Sequence, residues 1–289
     1  MSLTPAFGLL GAATCAVWCP GGRLGRLRAP PWTILFGAAI VAGGSEGVLT
    51  AWAGASLAAL CMFAWAALHA PRARPLFVAS AAAVALAMSL HLLRGYHDPL
   101  PGAALRLTPD ALPFVPHLNF DKAAAGLVLL ATFAARARSP RIFAGQLGPI
   151  AVAAAATASA AIGLALAAGV VRFEPKLPDI APPFLVANLL FTCVAEEAFF
   201  RGLIQERLMR LAASSGSTAW TAGAIAASAA LFGLAHAGGG APWMLISAVA
   251  GAGYAGLYAR TRSIEGPILV HFAVNAAHFL GFTYPALAG

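Results

Sequence analysis

Ten long apolar runs follow one another along this chain, and too little charge separates them to cover a surface facing water. Sixty per cent of the 289 residues are hydrophobic and 10% are charged, where a soluble domain carries about 25% charged residues. A soluble globular enzyme is excluded, and so is a disordered chain, which needs low hydrophobicity. The runs are rich in Ala, Leu and Val and lack the weak two-residue alternation of an outer-membrane barrel. The expected fold is therefore all-α, a polytopic transmembrane helical bundle of eight to ten spans. A span takes about 20 mostly apolar residues, and the runs lie near 3–20, 31–43, 48–70, 75–93, 122–135, 147–171, 183–200, 217–236, 242–259 and 266–284. The second and fifth are short for a full crossing and read as re-entrant or as extended by their neighbours.

The formal net charge of +8 comes from basic residues at the ends of apolar runs, not from a patch. That distribution is a topology signal, and no nucleic-acid partner is expected. With both termini outside and ten crossings, the inner connections hold Arg23, Arg26, Arg28, Arg72, Arg74, Arg136, Arg138, Arg141, Arg201, Arg207, Arg210, Arg260 and Arg262, most of the 18 basic residues. Arg94, Arg106, Lys122, Arg172 and Lys176 fall outside with Glu46, Asp98, Asp110, Asp121, Glu174 and Asp179. This satisfies the positive-inside rule. The first run has arginines after it and none before it, the wrong polarity for a cleavable signal, so it reads as a retained helix. Cys15, Cys19, Cys61 and Cys193 lie in apolar stretches and read as buried small side chains outside any disulfide framework. Prolines 99, 101, 109, 113 and 116 keep the longest connection, 94–121, from forming regular helix. Ala248, Gly251, Ala252, Ala255 and Gly256 recur at helical spacing and read as a packing stripe.

A charge at mid-bilayer costs about 2.5–3.5 kcal/mol on insertion scales, so ionisable residues inside the runs carry the functional information. Three places in the last third hold them. The first is Glu196-Glu197-Ala198-Phe199-Phe200-Arg201. On a helix Glu197 and Arg201 are i, i+4 and pair in the favourable acid-before-base order. Glu196 then faces elsewhere without a local partner, as a general base would. The bland reading of this segment is a buried ion pair and a carboxylate reaching toward the interface. The second is Phe232-Gly233-Leu234-Ala235-His236, followed by Gly238-Gly239-Gly240. Alone, a histidine at a helix end is more often a capping or interfacial residue than a catalytic one. The third is His271-Phe272-Ala273-Val274-Asn275, whose His and Asn share one helix face and can donate to a developing oxyanion, or else serve as an interhelical hydrogen-bonding pair. His278, one heptad after His271, is a weaker fourth candidate. The run limits put Glu196 and His271 in the inner half of the bilayer and His236 near the outer end of its helix. They meet only if that helix is short or the glycine turn dips inward.

The ordered set of carboxylate pair with arginine, Phe-x-x-x-His and His-x-x-x-Asn resembles the CPBP family, which includes the type II CAAX prenyl endopeptidases and bacteriocin-processing enzymes. The resemblance covers about residues 183–284, and Gly256, Tyr258, Arg260 and Ser263 resemble the family's lead-in to its last motif. It implies a catalytic core over 181–289, with 1–180 as N-terminal transmembrane helices of unassigned role. It further implies glutamate-type intramembrane proteolysis of a protein or peptide in or at the lipid bilayer. Glu196 would activate water, helped by His236; His271 and Asn275 would form the oxyanion hole; Glu197 and Arg201 would organise the helix. A zinc version would use Glu196, His236 and His271, with Cys193 as a fourth ligand. The chain lacks His-Glu-x-x-His and that ligand set leaves no separate base, so no cofactor is expected. The basic topology implies a bacterial inner membrane. The rival classes are a proton- or ion-coupled carrier and a non-catalytic immunity or scaffold protein.

Overall fold

Each of the ten apolar runs holds helix in the computed structural model, which describes residues 4–20, 22–24, 27–100, 102, 104–215 and 218–288. Arg26 and Pro101, named above, lie outside the described residues, as do the side chains of Arg23 and Arg28. The helices are α1 (Pro5–Ala16), α2 (Pro31–Ser45), α3 (Ala51–His69), α4 (Arg74–Ser89), α5 (Phe120–Phe133), α6 (Pro140–Ala167), α7 (Ala181–Ala187), α8 (Val194–Glu197), α9 (Glu206–Ser215), α10 (Thr218–Leu234), α11 (Ala241–Thr261) and α12 (Glu265–Gly281). Two π-helical stretches, Asn188–Cys193 and Ala198–Gln205, join α7, α8 and α9 into one run. A two-stranded antiparallel hairpin, β1 (Gly22–Leu24) with β2 (Leu27–Ala29), follows α1. Several helices open on a proline, which loses no intrahelical bond in the first turn. At α6 the Ser139 side chain also caps the Ile142 N–H at 3.2 Å.

Three segments, Ala51–His69, Pro140–Ala167 and Ala181–Leu211, are long and apolar enough to cross a membrane, and Pro5–Ala16, Pro31–Ser45 and Thr218–Leu234 are shorter apolar helices. Side chains that a soluble domain would bury are exposed instead: Val41, Trp52, Leu76 and Val152 are each more than 60% accessible. Lipid is as apolar as these side chains, so exposure to it costs nothing. The chain is an integral membrane protein with an all-helical scaffold. The same reasoning corrects the cysteine reading. Cys193 is buried and Cys61 half-buried, but Cys15 and Cys19 are exposed, because an apolar sequence does not tell a lipid-facing position from an interior one.

The chain forms two compact units, each discontinuous in sequence: residues 1–102, 117–133 and 190–199 in the first, and 103–116, 134–189 and 200–289 in the second. In the first unit α5 is the interior element, packed against α1, α3, α4 and α8. Ten of its 14 residues, from Phe120 to Leu130, are buried. At 1.5 Å rise per residue it is about 21 Å long, shorter than the hydrocarbon core. At Gly126 α5 packs directly on the backbone of α8, so that a Cβ there would clash with Ala195. The connection before α5 is tied down by Thr50 N–H to the Gly95 carbonyl and His97 N–H to the Val48 carbonyl, both at 2.9 Å. Tyr96 hydrogen-bonds Ser56 at 2.6 Å, and burial pushes its phenol up to about 12.

In the second unit α6 packs on α11 and α12, and α10 on α11 and α9. A Cβ on Gly253 would meet Thr157 of α6 at 2.2 Å, and one on Gly233 would meet the Met244 carbonyl at 2.6 Å and Ala248 at 2.8 Å. The packing stripe read from the sequence holds for Ala248, Gly251 and Ala255. It does not hold for Ala252, which is exposed, or Gly256, whose Cβ position is open, because those two lie on the next edge of the helix. The segment after α6 runs along the end of α12, with Glu174 and Lys176 N–H groups donating to the Gly281 and Leu280 carbonyls at 2.8 Å.

Gly126→Ala should therefore cost about 1–3 kcal/mol of stability, the usual range for overpacking. Gly37→Ala, with open space around it, should cost nothing. Thermal unfolding of the detergent-solubilised variants checks both.

Candidate active site

His236, His271, Asn275 and His278 line one cavity of about 120 Å³ in the second unit, faced by Ala161, Ile162, Ala165, Ile246 and Ala250. Two of the three sequence motifs thus converge. His236 stands two residues after the end of α10, just before the 3₁₀ turn Ala237–Gly239. Its Nδ1 lies 2.8 Å from the Phe232 carbonyl. A ring that donates there presents Nε2 as its acceptor when neutral. His271 is buried, stacked on the Tyr254 ring at 4.8 Å and edge-on to Phe232 at 5.5 Å. Asn275 donates through Nδ2 to Asn188 Oδ1 at 3.2 Å, which fixes the way its amide points. His278 lies 3.2 Å from the Thr283 carbonyl and packs on Trp243.

Arg201 supports this arrangement from behind. It is fully buried, its Nη2 donates to the Gly251 carbonyl at 2.8 Å, and its guanidinium sits 4.8 Å from the Phe232 centroid and 5.3 Å from that of Tyr254. The two rings that hold His271 therefore rest on Arg201. Glu206, which no sequence motif singled out, organises the far end of the unit. Buried itself, it accepts from Tyr258 Oη at 2.9 Å, Arg210 Nε at 2.9 Å and Arg262 Nη2 at 2.8 Å. Ser263 hydrogen-bonds Gln146 of α6 at 2.7 Å.

The first unit holds Glu196 and Glu197. The expectation that Glu196 lacks a partner is corrected: Lys122 Nζ lies 2.7 Å from its Oε1, and both side chains are largely buried. Helical spacing reads only neighbours on the same helix, and this partner comes from 74 residues earlier. The contact also corrects the depths. Lys122 at an outer connection and Glu196 in the inner half of the bilayer cannot both hold when the two side chains touch. Among the described residues, no three His, Cys, Asp or Glu side chains stand close enough together to hold a metal ion.

Residues 178–277 match the family model for type II CAAX prenyl endopeptidase Rce1-like proteins. This stretch is similar to that family. It is roughly a third of the chain, and it contains Glu196, Glu197, Arg201, His236, His271 and Asn275, while Lys122 lies before it and His278 just after. Members are CAAX endopeptidases, so the chain is a CAAX-protease-like peptide hydrolase of the membrane. Neither the curated proteins nor the solved structures compared with the chain gave a match.

Sequence reading missed Asn188, the hydrogen-bond partner of Asn275, because a lone Asn in an apolar run carries no spacing signal. Asn188→Ala should lower turnover roughly fivefold, the equivalent of about 1 kcal/mol for one hydrogen bond, with KM unchanged. Steady-state kinetics on the purified enzyme checks this.

Proposed function

We propose that this hydrolase is an intramembrane endopeptidase that cleaves a membrane-associated protein or peptide with a water activated by Glu196. In this reading the Glu196 carboxylate removes a proton as the water oxygen bonds to the scissile carbonyl carbon. His236, acting through Nε2, orients that water. His271 and Asn275 donate to the oxyanion of the tetrahedral intermediate. When the C–N bond breaks, the proton held by Glu196 passes to the leaving amine, which restores the carboxylate. Glu197 and Arg201 organise the helix that carries the base. A metal is not needed for any of these steps.

The observation that carries the reading is that His236, His271 and Asn275, all in the Rce1-like stretch, converge on one largely apolar cavity. Such a cavity admits little water, which strengthens each hydrogen bond inside it. The positive-inside distribution supports a bacterial inner-membrane location, and C-terminal processing or sorting of exported proteins is the role that fits it.

Glu196→Gln should abolish turnover with expression near normal, since it removes the base and keeps the shape. Asn275→Ala should lose about 10²–10³ in kcat, as removal of one oxyanion donor does. The test compares protein termini in membrane and surface fractions of cells carrying the wild-type chain or Glu196→Gln. Termini that require Glu196 establish the proteolysis and name the substrate. Identical termini from two folded proteins would overturn the proposal.

A further inference from the structure

The ion pair between Lys122 and Glu196 brings a residue from outside the family-matched stretch to the carboxylate assigned as the base. Its placement is built by three neighbours in the first unit. Gly126, one turn after Lys122 on the same face of α5, lets the helix touch the backbone of Ala195, the residue before Glu196. Asp121, almost fully buried, accepts the Lys122 N–H through Oδ1 at 2.8 Å and fixes the first turn of α5. Its other oxygen, Oδ2, lies 2.8 Å from His91 Nδ1. An acid suits this position, because helix N-termini favour negative charge. A lysine does not. The ammonium stands at the end of α5 where the macrodipole opposes it, and burying an ion pair is weak as a source of stability, since desolvation offsets the Coulombic gain. Helix formation and stability leave Lys122 unexplained; the carboxylate opposite explains it.

We propose that Lys122 is a positioning residue for the reaction: by engaging Oε1 it fixes the plane of the Glu196 carboxylate and directs proton transfer from water to Oε2. The inference rests on Glu196 being the base. It gives the N-terminal helices a part in the reaction, since α5 delivers a group on which the base depends. Lys122 touches neither water nor substrate in this scheme and acts through Glu196 alone.

The test uses full-length Lys122→Met, Lys122→Gln and Lys122→Arg on the substrate whose termini depend on Glu196, with Glu196→Gln beside them. Lys122→Met and Lys122→Gln should lower kcat at least tenfold with KM within twofold of wild type, and Lys122→Arg should recover most of the loss. Lys122→Gln keeps a hydrogen-bond donor at the site should the Met variant fail to fold. In a Glu196→Gln background, Lys122→Gln should cause a smaller change in melting temperature than it does in the wild type, because its partner charge is already gone. Wild-type kcat in a folded Lys122→Gln, or Arg as slow as Gln, would overturn the inference. Identical protein termini in cells carrying wild type and Glu196→Gln would instead overturn the assignment of the base, while the melting temperatures still report whether the pair exists.

Discussion

A carboxylate inside an apolar helical bundle must be met by a cation and by close-packed backbone, and Glu196 is met by both. The pair with Lys122 is possible because Gly126 removes the side chain that would hold α5 away from Ala195. Without that contact the ammonium would stand off the carboxylate, and each charge would carry the full cost of desolvation. The first unit is organised accordingly: α5 is short, buried on most of its surface, and surrounded by α1, α3, α4 and α8. The fifth run, which the sequence already marks as short for a full crossing, carries the lysine of the charged pair.

In the second unit aromatic rings pack against the buried guanidinium and imidazole. Phe232 and Tyr254 enclose His271 on one side and face the Arg201 guanidinium on the other. Gly251 leaves room for Phe232 and accepts from Arg201 through its carbonyl. His236 and Asn275 are each oriented by one hydrogen bond, to the Phe232 carbonyl and to Asn188. Side chains held this way sit ready before substrate arrives, which is what stabilising a developing charge requires.

Reading order and spacing in the sequence found the helices and the motif residues, because both depend on contacts within one helix. Phe232 and His236 are four apart, as are His271 and Asn275, and the structure sets them round one cavity. Partners distant in sequence were illegible. Lys122 is 74 residues from Glu196 and Asn188 is 87 from Asn275, and no periodicity connects them. Depth was misread for a related reason: apolar composition is shared by lipid-facing helices such as α3, with exposed Trp52, and by the interior α5. Composition alone gives no length of crossing for either.

The central proposal is that Glu196 and His236 act on the same water. The most direct measurement is the turnover of Glu196→Gln, His236→Ala and the double variant on the substrate whose termini depend on Glu196. Residues that act as one unit are not additive, so the double variant should be no slower than the slower single one. Separate losses that multiply in the double variant would show two independent roles and contradict the account.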